Sequence, residues 1–193
     1  LENGNVYAWG YSYNGQLGDD TKDDRLSPFK VIGLPKNIKP VKVIAGADSS
    51  VVLLENGDLY ATGEIVDSLV FIHYPLDFKV QDVELLYDSS DNGLVLLKND
   101  NKLLIKNLRK CNSSLDWCGF DDNDFYQPKG LPENEIIRKI IAGSDYLFIL
   151  TQDNALYGIG QNKDGQLGLN ERSDAVKSFS KIYGLEGEIL KVT

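Results

Sequence analysis

The chain has no methionine, two cysteines and one histidine in 193 residues. Two thiols and one imidazole cannot supply a structural zinc site built mainly from Cys and His. Any Ser-His-Asp or Cys-His relay would have to use His73. That residue lies in Val70-Phe71-Ile72-His73-Tyr74-Pro75 with no nucleophile elbow nearby, and reads as structural or surface. Long apolar runs are also missing; none approaches the roughly 20 residues that span a bilayer. Leu1-Glu2-Asn3-Gly4 carries neither the basic nor the apolar stretch of a secretory signal. A chain without methionine that starts at Leu1 is expected to be a processed product, a fragment or the visible part of something longer. Positive charge is scarce as well: 20 Lys+Arg stand against 29 Asp+Glu, a net charge of −9. Nucleic acid and anionic membrane both require an excess of Lys/Arg, so neither is an expected partner. A basic protein face is the easier match.

What is present is a globular composition, 42% hydrophobic and 25% charged, arranged in repeats. Asn5-Val6-Tyr7-Ala8-Trp9-Gly10 returns as Asp58-Leu59-Tyr60-Ala61-Thr62-Gly63 and as Ala155-Leu156-Tyr157-Gly158-Ile159-Gly160. Lys102 to Asn107 holds the same slot without the glycine. Upstream of these, Ile44-Ala45-Gly46-Ala47-Asp48 matches Ile141-Ala142-Gly143-Ser144-Asp145, with Tyr87 to Asp91 as a weaker copy. The apolar runs Val51–Leu54, Leu94–Leu97 and Leu147–Leu150 each lead through a short polar turn into a second apolar run. Short β-branched and aromatic runs joined by Asn-Gly or Asp-Asn turns read as hairpins, and no 3.6-residue period runs for ten residues. The fold is expected to be all-β. A third block, Trp9-Gly10 to Gly15-Gln16-Leu17-Gly18, recurs as Ile159-Gly160 to Gly165-Gln166-Leu167-Gly168. Val31-Ile32-Gly33-Leu34 likewise aligns with Ile182-Tyr183-Gly184-Leu185.

The unit of about 50 residues, with about four strands, is that of a propeller blade. The pattern resembles the repeat of the regulator of chromosome condensation family, in which Trp-Gly is followed by Gly-Gln-Leu-Gly and then by a Gly-x-x-His-Ser strand start. Here Ser49, Asn92 and Tyr146 stand where the family has His, and Glu64 to Phe78 is an apolar stretch without the Gly-Gln-Leu-Gly loop. The resemblance implies a seven-bladed β-propeller, of which the chain holds just under four units, approximately 1–53, 54–97, 98–150 and 151–193. Seven blades require on the order of 350 residues. The remaining blades are expected from the same or another chain, because blades bury their faces only against neighbours.

Chemistry is weak in this sequence. Gly10 and Gly15 lack the Lys and Ser/Thr of a phosphate loop, so the motif glycines read as turn and close-approach positions, and Leu17 and Leu167 as core plugs between blades. Neither Asp19-Asp20 with Asp23-Asp24 nor Asp121-Asp122 with Asp124 has calcium-loop spacing, and both read as solvated loops. Cys111 and Cys118 close a short loop and pair only in an oxidising compartment. No catalytic residue, cofactor or metal is expected. The candidate protein-binding residues are Trp117, Phe120, Asp121, Asp122, Asp124, Phe125 and Tyr126, aromatics and acids in the longest stretch without the repeat, Lys110 to Gln127. Ile65 to Phe78, with Phe71, Tyr74 and Phe78, is a weaker second candidate.

The leading expectation is therefore a non-catalytic adaptor or scaffold module that binds protein inside the cell, in cytoplasm or nucleus. The rival, implied by the resemblance, is guanine-nucleotide exchange on a Ran-like small GTPase. In that reading a propeller face presses a wedge into the phosphate loop and displaces nucleotide and Mg²⁺, and only Lys110 to Gln127 is long enough to be the wedge. The family's secreted bacterial inhibitors are a third reading, which predicts oxidised Cys111 and Cys118.

Overall fold

The computed structural model describes residues 4–87, 92–107, 125–190 and 192. All regular structure among them is β-strand, as the turn-punctuated apolar runs require. The chain divides into two compact units, Leu1–Gln81 and Asp82–Thr193.

In the first unit, β1 (Tyr7–Gly10) pairs with β2 (Arg25–Lys30) in a two-stranded antiparallel sheet. A four-stranded sheet follows, in which β3 (Pro40–Ala45), β4 (Ser49–Leu54), β5 (Leu59–Gly63) and β6 (Ser68–His73) pair in chain order. The β4–β5 turn is Glu55-Asn56-Gly57, and Gly57 N–H closes it on the Leu54 carbonyl at 2.9 Å. Strand β4 is apolar on both faces because the sheet is covered on both. Val52 and Leu54 face the first sheet, packing with Val31 and Phe71 in one core.

In the second unit, β7 (Val80–Tyr87, its last six residues on this side of the division), β8 (Asn92–Lys98) and β9 (Leu103–Asn107) form a three-stranded sheet. Tyr126 bridges Ile105 at its outer edge, where the four-stranded sheets have a fourth strand. The last sheet is β10 (Ile137–Ala142), β11 (Tyr146–Thr151), β12 (Leu156–Asn162) and β13 (Ser173–Lys181), again in chain order. Period-two alternation splits β11 between two cores. Leu147 and Ile149 pack toward Val95, Leu97 and Ile105 of the three-stranded sheet, whereas Phe148 and Leu150 turn the other way, to Leu167 and Ile182. Sheets of four up-and-down strands, each apolar on both faces, are blades built to be stacked.

Candidate functional site

The first Gly-Gln-Leu-Gly loop is an inter-sheet latch. Between β1 and β2, residues 12–18 leave their own sheet and lie against the next one. Gln16 is buried and bonds in two directions: Oε1 accepts from Asn14 N–H at 3.0 Å, and Nε2 donates to the Ala47 carbonyl at 2.8 Å. Thr62 donates its hydroxyl to the Gly15 carbonyl at 3.0 Å, and Ser50 to the Gln16 carbonyl at 2.7 Å. A glutamine serves here because its amide carries donor and acceptor on one stem. Leu17 is buried in the first unit and Leu167 in the second. Gly63 and Gly160 stand where a Cβ would lie 2.3 Å from the carbonyl oxygens of Asp48 and Asp145, so the strand starts that follow Gly46 and Gly143 leave room only for hydrogen.

The acidic loop after this latch is not wholly solvated. Asp19 is buried, accepts from Thr21 N–H and Oγ1 at 3.1 and 2.9 Å, and pairs with Arg25 Nε. Burial pushes its carboxyl up, but the hydrogen bonds of Arg25 and Thr21 pull it further down, so it ends below the ordinary carboxylate value. A depressed folded-state pKa contributes stability that is present above the unfolded value and lost as pH falls through the folded one. Asp19→Asn is therefore expected to remove about 1 kcal/mol of the acid-side loss below about pH 4, discounted for the half-exposed Arg25. Urea unfolding of both proteins at pH 6 and pH 3 measures it, and parallel pH curves would overturn it.

Of the predicted binding residues, Trp117, Phe120, Asp121, Asp122 and Asp124 lie outside the described residues, as do Cys111 and Cys118. Phe125 is half-buried with Lys106 Nζ 5.4 Å from its ring centre, and Tyr126 exchanges two 2.8 Å backbone hydrogen bonds with Ile105. The chain leaves the three-stranded sheet after Asn107 and has rejoined its edge at Tyr126. The second candidate segment, around Phe71 and Tyr74, is corrected: both rings are buried, because Ser68–His73 is the fourth strand of its sheet and turns Phe71 into the core. His73 is half-exposed, edge-on to Tyr60 at 5.5 Å, with Nε2 3.8 Å from Asp58 Oδ1.

The exposed aromatics lie elsewhere. Trp9 is 61%, Tyr11 61% and Tyr13 67% exposed, and the rings of Tyr11 and Tyr13 stack at 6.3 Å. Beside them a groove of about 560 Å³ is lined by Tyr7, Trp9, Pro28, Val41 and Val43. Amphipathic rings of this kind supply most binding energy at protein interfaces. Sequence reasoning absorbed Trp9 into the repeat and passed over its neighbours. The signal was there as a cluster of aromatics at 7, 9, 11 and 13, of which Tyr7 and Trp9 lie on β1 and Tyr11 and Tyr13 in the loop that follows it.

Residues 3–53 match the Regulator of chromosome condensation (RCC1) repeat. Over 190 residues the chain is 30% identical to Ras guanine nucleotide exchange factor C of Dictyostelium discoideum, a match that covers 89% of this chain and 12% of that protein. It is 27% identical to the Ultraviolet-B receptor UVR8 of Arabidopsis thaliana, over 98% of this chain and 44% of the receptor. The structure of Prp20p from Saccharomyces cerevisiae, studied together with its binding to Gsp1p and histones, aligns with a TM-score of 0.78 at 21% identity, over 99% of this chain and 49% of that one. The chain spans less than half the length of each of these proteins.

These findings correct the expectation of a non-enzyme. The fold is that of Prp20, the yeast RCC1, and 89% of this chain matches 12% of a protein named for nucleotide exchange. The expectation failed because it tested for bond-making groups: a nucleophile, a base, a metal. Exchange of a bound nucleotide makes and breaks no covalent bond, and needs a shaped, rigid surface that stabilises the nucleotide-free partner.

Proposed function

The chain is a protein-interaction module of RCC1-repeat, partial β-propeller fold, and on that premise we propose that it forms part of a guanine-nucleotide exchange factor for a Ran- or Ras-like small GTPase. The observation that carries this reading is the 30% identity, over 89% of the chain, to Ras guanine nucleotide exchange factor C. The Prp20p fold, from a protein studied with Gsp1p, supports it over a generic scaffold.

The net charge of −9 suits a basic GTPase surface and speeds encounter with it. Exchange is population shift: a factor that binds the nucleotide-free GTPase more tightly than the loaded one raises the rate of release, by at most that differential affinity. Latched sheets serve this because a stiff surface loses little entropy on docking. The exposed residues Trp9, Tyr11 and Tyr13 supply anchoring area, and the segment 110–127, which follows β9 and in which Tyr126 bridges Ile105, supplies the wedge with Trp117, Phe120, Asp121, Asp122, Asp124, Phe125 and Tyr126. Location follows from the partner: the cytoplasm or nucleus, where such GTPases work.

The test is release of a fluorescent guanine nucleotide from Ran-like and Ras-like GTPases mixed with the 193-residue chain. At least tenfold acceleration on one of them, measured with excess unlabelled nucleotide and Mg²⁺ present, is expected. No acceleration and no binding to either nucleotide-free GTPase would refute the proposal.

A further inference from the structure

One pocket occurs twice in this chain with its charge reversed. Gly33-Leu34-Pro35-Lys36-Asn37-Ile38 of the first unit returns 97 residues later as Gly130-Leu131-Pro132-Glu133-Asn134-Glu135 of the second. Both stretches lead into the first strand of a four-stranded sheet, β3 and β10, and each lines a cavity. In the first unit the cavity measures about 750 Å³, and its charged residues are Lys30, Lys36 and Lys39 against Glu55. In the second it measures about 260 Å³, and they are Asp100, Glu133 and Glu135 against Lys102. A place that is cationic in one copy is anionic in the other.

The reversal goes deepest where Ile38 gives way to Glu135. Ile38 and Tyr60 both pack on the core of Val31, Val52, Leu54 and Phe71. Tyr157, the counterpart of Tyr60, is buried and donates its hydroxyl to Glu135 Oε1 at 3.0 Å. Burial, and then the hydrogen bond and charge of Glu135, push that hydroxyl up to about 12, which keeps it a donor at neutral pH. The other carboxylate oxygen, Oε2, is buried and has no hydrogen-bond partner among the described residues. Ile38 shows that an apolar side chain satisfies the fold at this position, so a buried acceptor without a donor is a cost that packing does not require. The backbone around it is fixed. Glu135 N–H donates to the Pro132 carbonyl at 3.2 Å, Asn101 Nδ2 donates to the Glu135 carbonyl at 2.7 Å, and Asn101 Oδ1 accepts from Ile137 N–H at 2.8 Å. Gly4 holds the place of Asn101 in the first unit and has no side chain with which to do this.

We propose that the Glu135 cavity is a binding site for an arginine side chain carried on an extended segment of a partner protein. The guanidinium donates to Glu135 Oε2, which supplies the missing hydrogen bond, and the exposed carboxylates of Asp100 and Glu133 add negative potential around it. Pro128, Leu131 and Pro132 in the wall take the methylenes of the stem. Arginine fits better than lysine because the acceptor is buried: a guanidinium is more weakly hydrated than an ammonium, so bringing it to Oε2 costs less. The cavity has room for one side chain and not for a folded element, which makes an extended segment the carrier. The net charge of −9 draws such a basic segment in. The equivalent cavity of the first unit, with its three lysines, rejects the same side chain. The Glu135 site holds arginine whether or not the protein exchanges nucleotide.

The test titrates the blocked tripeptide acetyl-Gly-Arg-Gly-amide into the isotope-labelled 193-residue chain and follows the amide resonances of Leu131, Glu135 and Ile137. A saturable shift with a dissociation constant on the order of 1 mM is expected, as befits one side chain without the rest of its partner. The citrulline tripeptide, which has the shape without the charge, should bind at least tenfold more weakly, and the lysine tripeptide at least threefold. Glu135→Gln, which leaves Tyr157 an acceptor, and Glu135→Ile, which restores the residue of the first unit, should each weaken arginine binding at least tenfold. No saturable shift at the three amides overturns the proposal. So does citrulline or lysine binding as tightly as arginine, a comparison that needs no variant to fold. Binding that survives both substitutions overturns it as well. Equal shifts at Leu34 and Ile38 would show attraction to the net charge alone, and overturn it too.

Discussion

Gly33→Ala is expected to lower stability by about 3 kcal/mol or more, and Gly184→Ala by only about 1 kcal/mol. Both glycines precede a leucine, follow the last strand of their sheet (β2 and β13) and have nearly the same left-handed φ, so the backbone penalty of a Cβ is common to the two. They differ in what the methyl meets. At Gly33 it would sit 1.9 Å from the Phe71 carbonyl oxygen, which belongs to the hydrogen-bonded backbone of β6 and cannot swing aside as a side chain would. The loop must retreat, and the Phe71–Ile32 hydrogen bond and part of the Val31, Val52 and Leu54 packing go with it. At Gly184 nothing lies within 4 Å of the Cβ position, and only the backbone penalty applies. Urea unfolding of the two single variants measures the difference. Equal losses would mean that the left-handed turn alone, and not close approach of the sheets, requires glycine.

Trp9→Ala combined with Tyr11→Ala is expected to weaken binding of the nucleotide-free GTPase at least 30-fold, about 2 kcal/mol, and to slow exchange in proportion. Both side chains are mostly solvent-exposed, so the unfolding free energy should move by less than about 1 kcal/mol. That contrast separates a binding role from a folding one. Loss of stability without loss of affinity would return Trp9 to the role of a repeat residue, and unchanged affinity and stability would remove the aromatic row from the interface.

The all-β architecture was legible because its signals are local. Asn-Gly and Asp-Asn turns, two-residue alternation and the return of Tyr-x-x-Gly define hairpins without reference to anything distant. Glycine spacing carried more, since a motif repeated in one order shows that the same contact is made repeatedly. It did not show against what: that Gln16 reaches Ala47, and Thr62 reaches Gly15, are facts of stacked sheets separated by more than 30 residues of chain.

Function was harder to read for the same reason. Phe71 and Tyr74 in a divergent segment suggested contact with a partner, but an aromatic on a fourth strand is turned inward by a neighbouring sheet that sequence does not display. Asp19 read as one more solvated acid until Arg25 and Thr21 were seen to close on it. Trp9, a conspicuous motif residue, is exposed on β1 of the two-stranded sheet, which its sequence does not show. By itself the sequence determined the strands, their turns and the repeat, all of them properties of short segments. Only the tertiary structure decided which copies of a motif are occupied, because occupancy depends on what the stacking of whole sheets brings within hydrogen-bond reach.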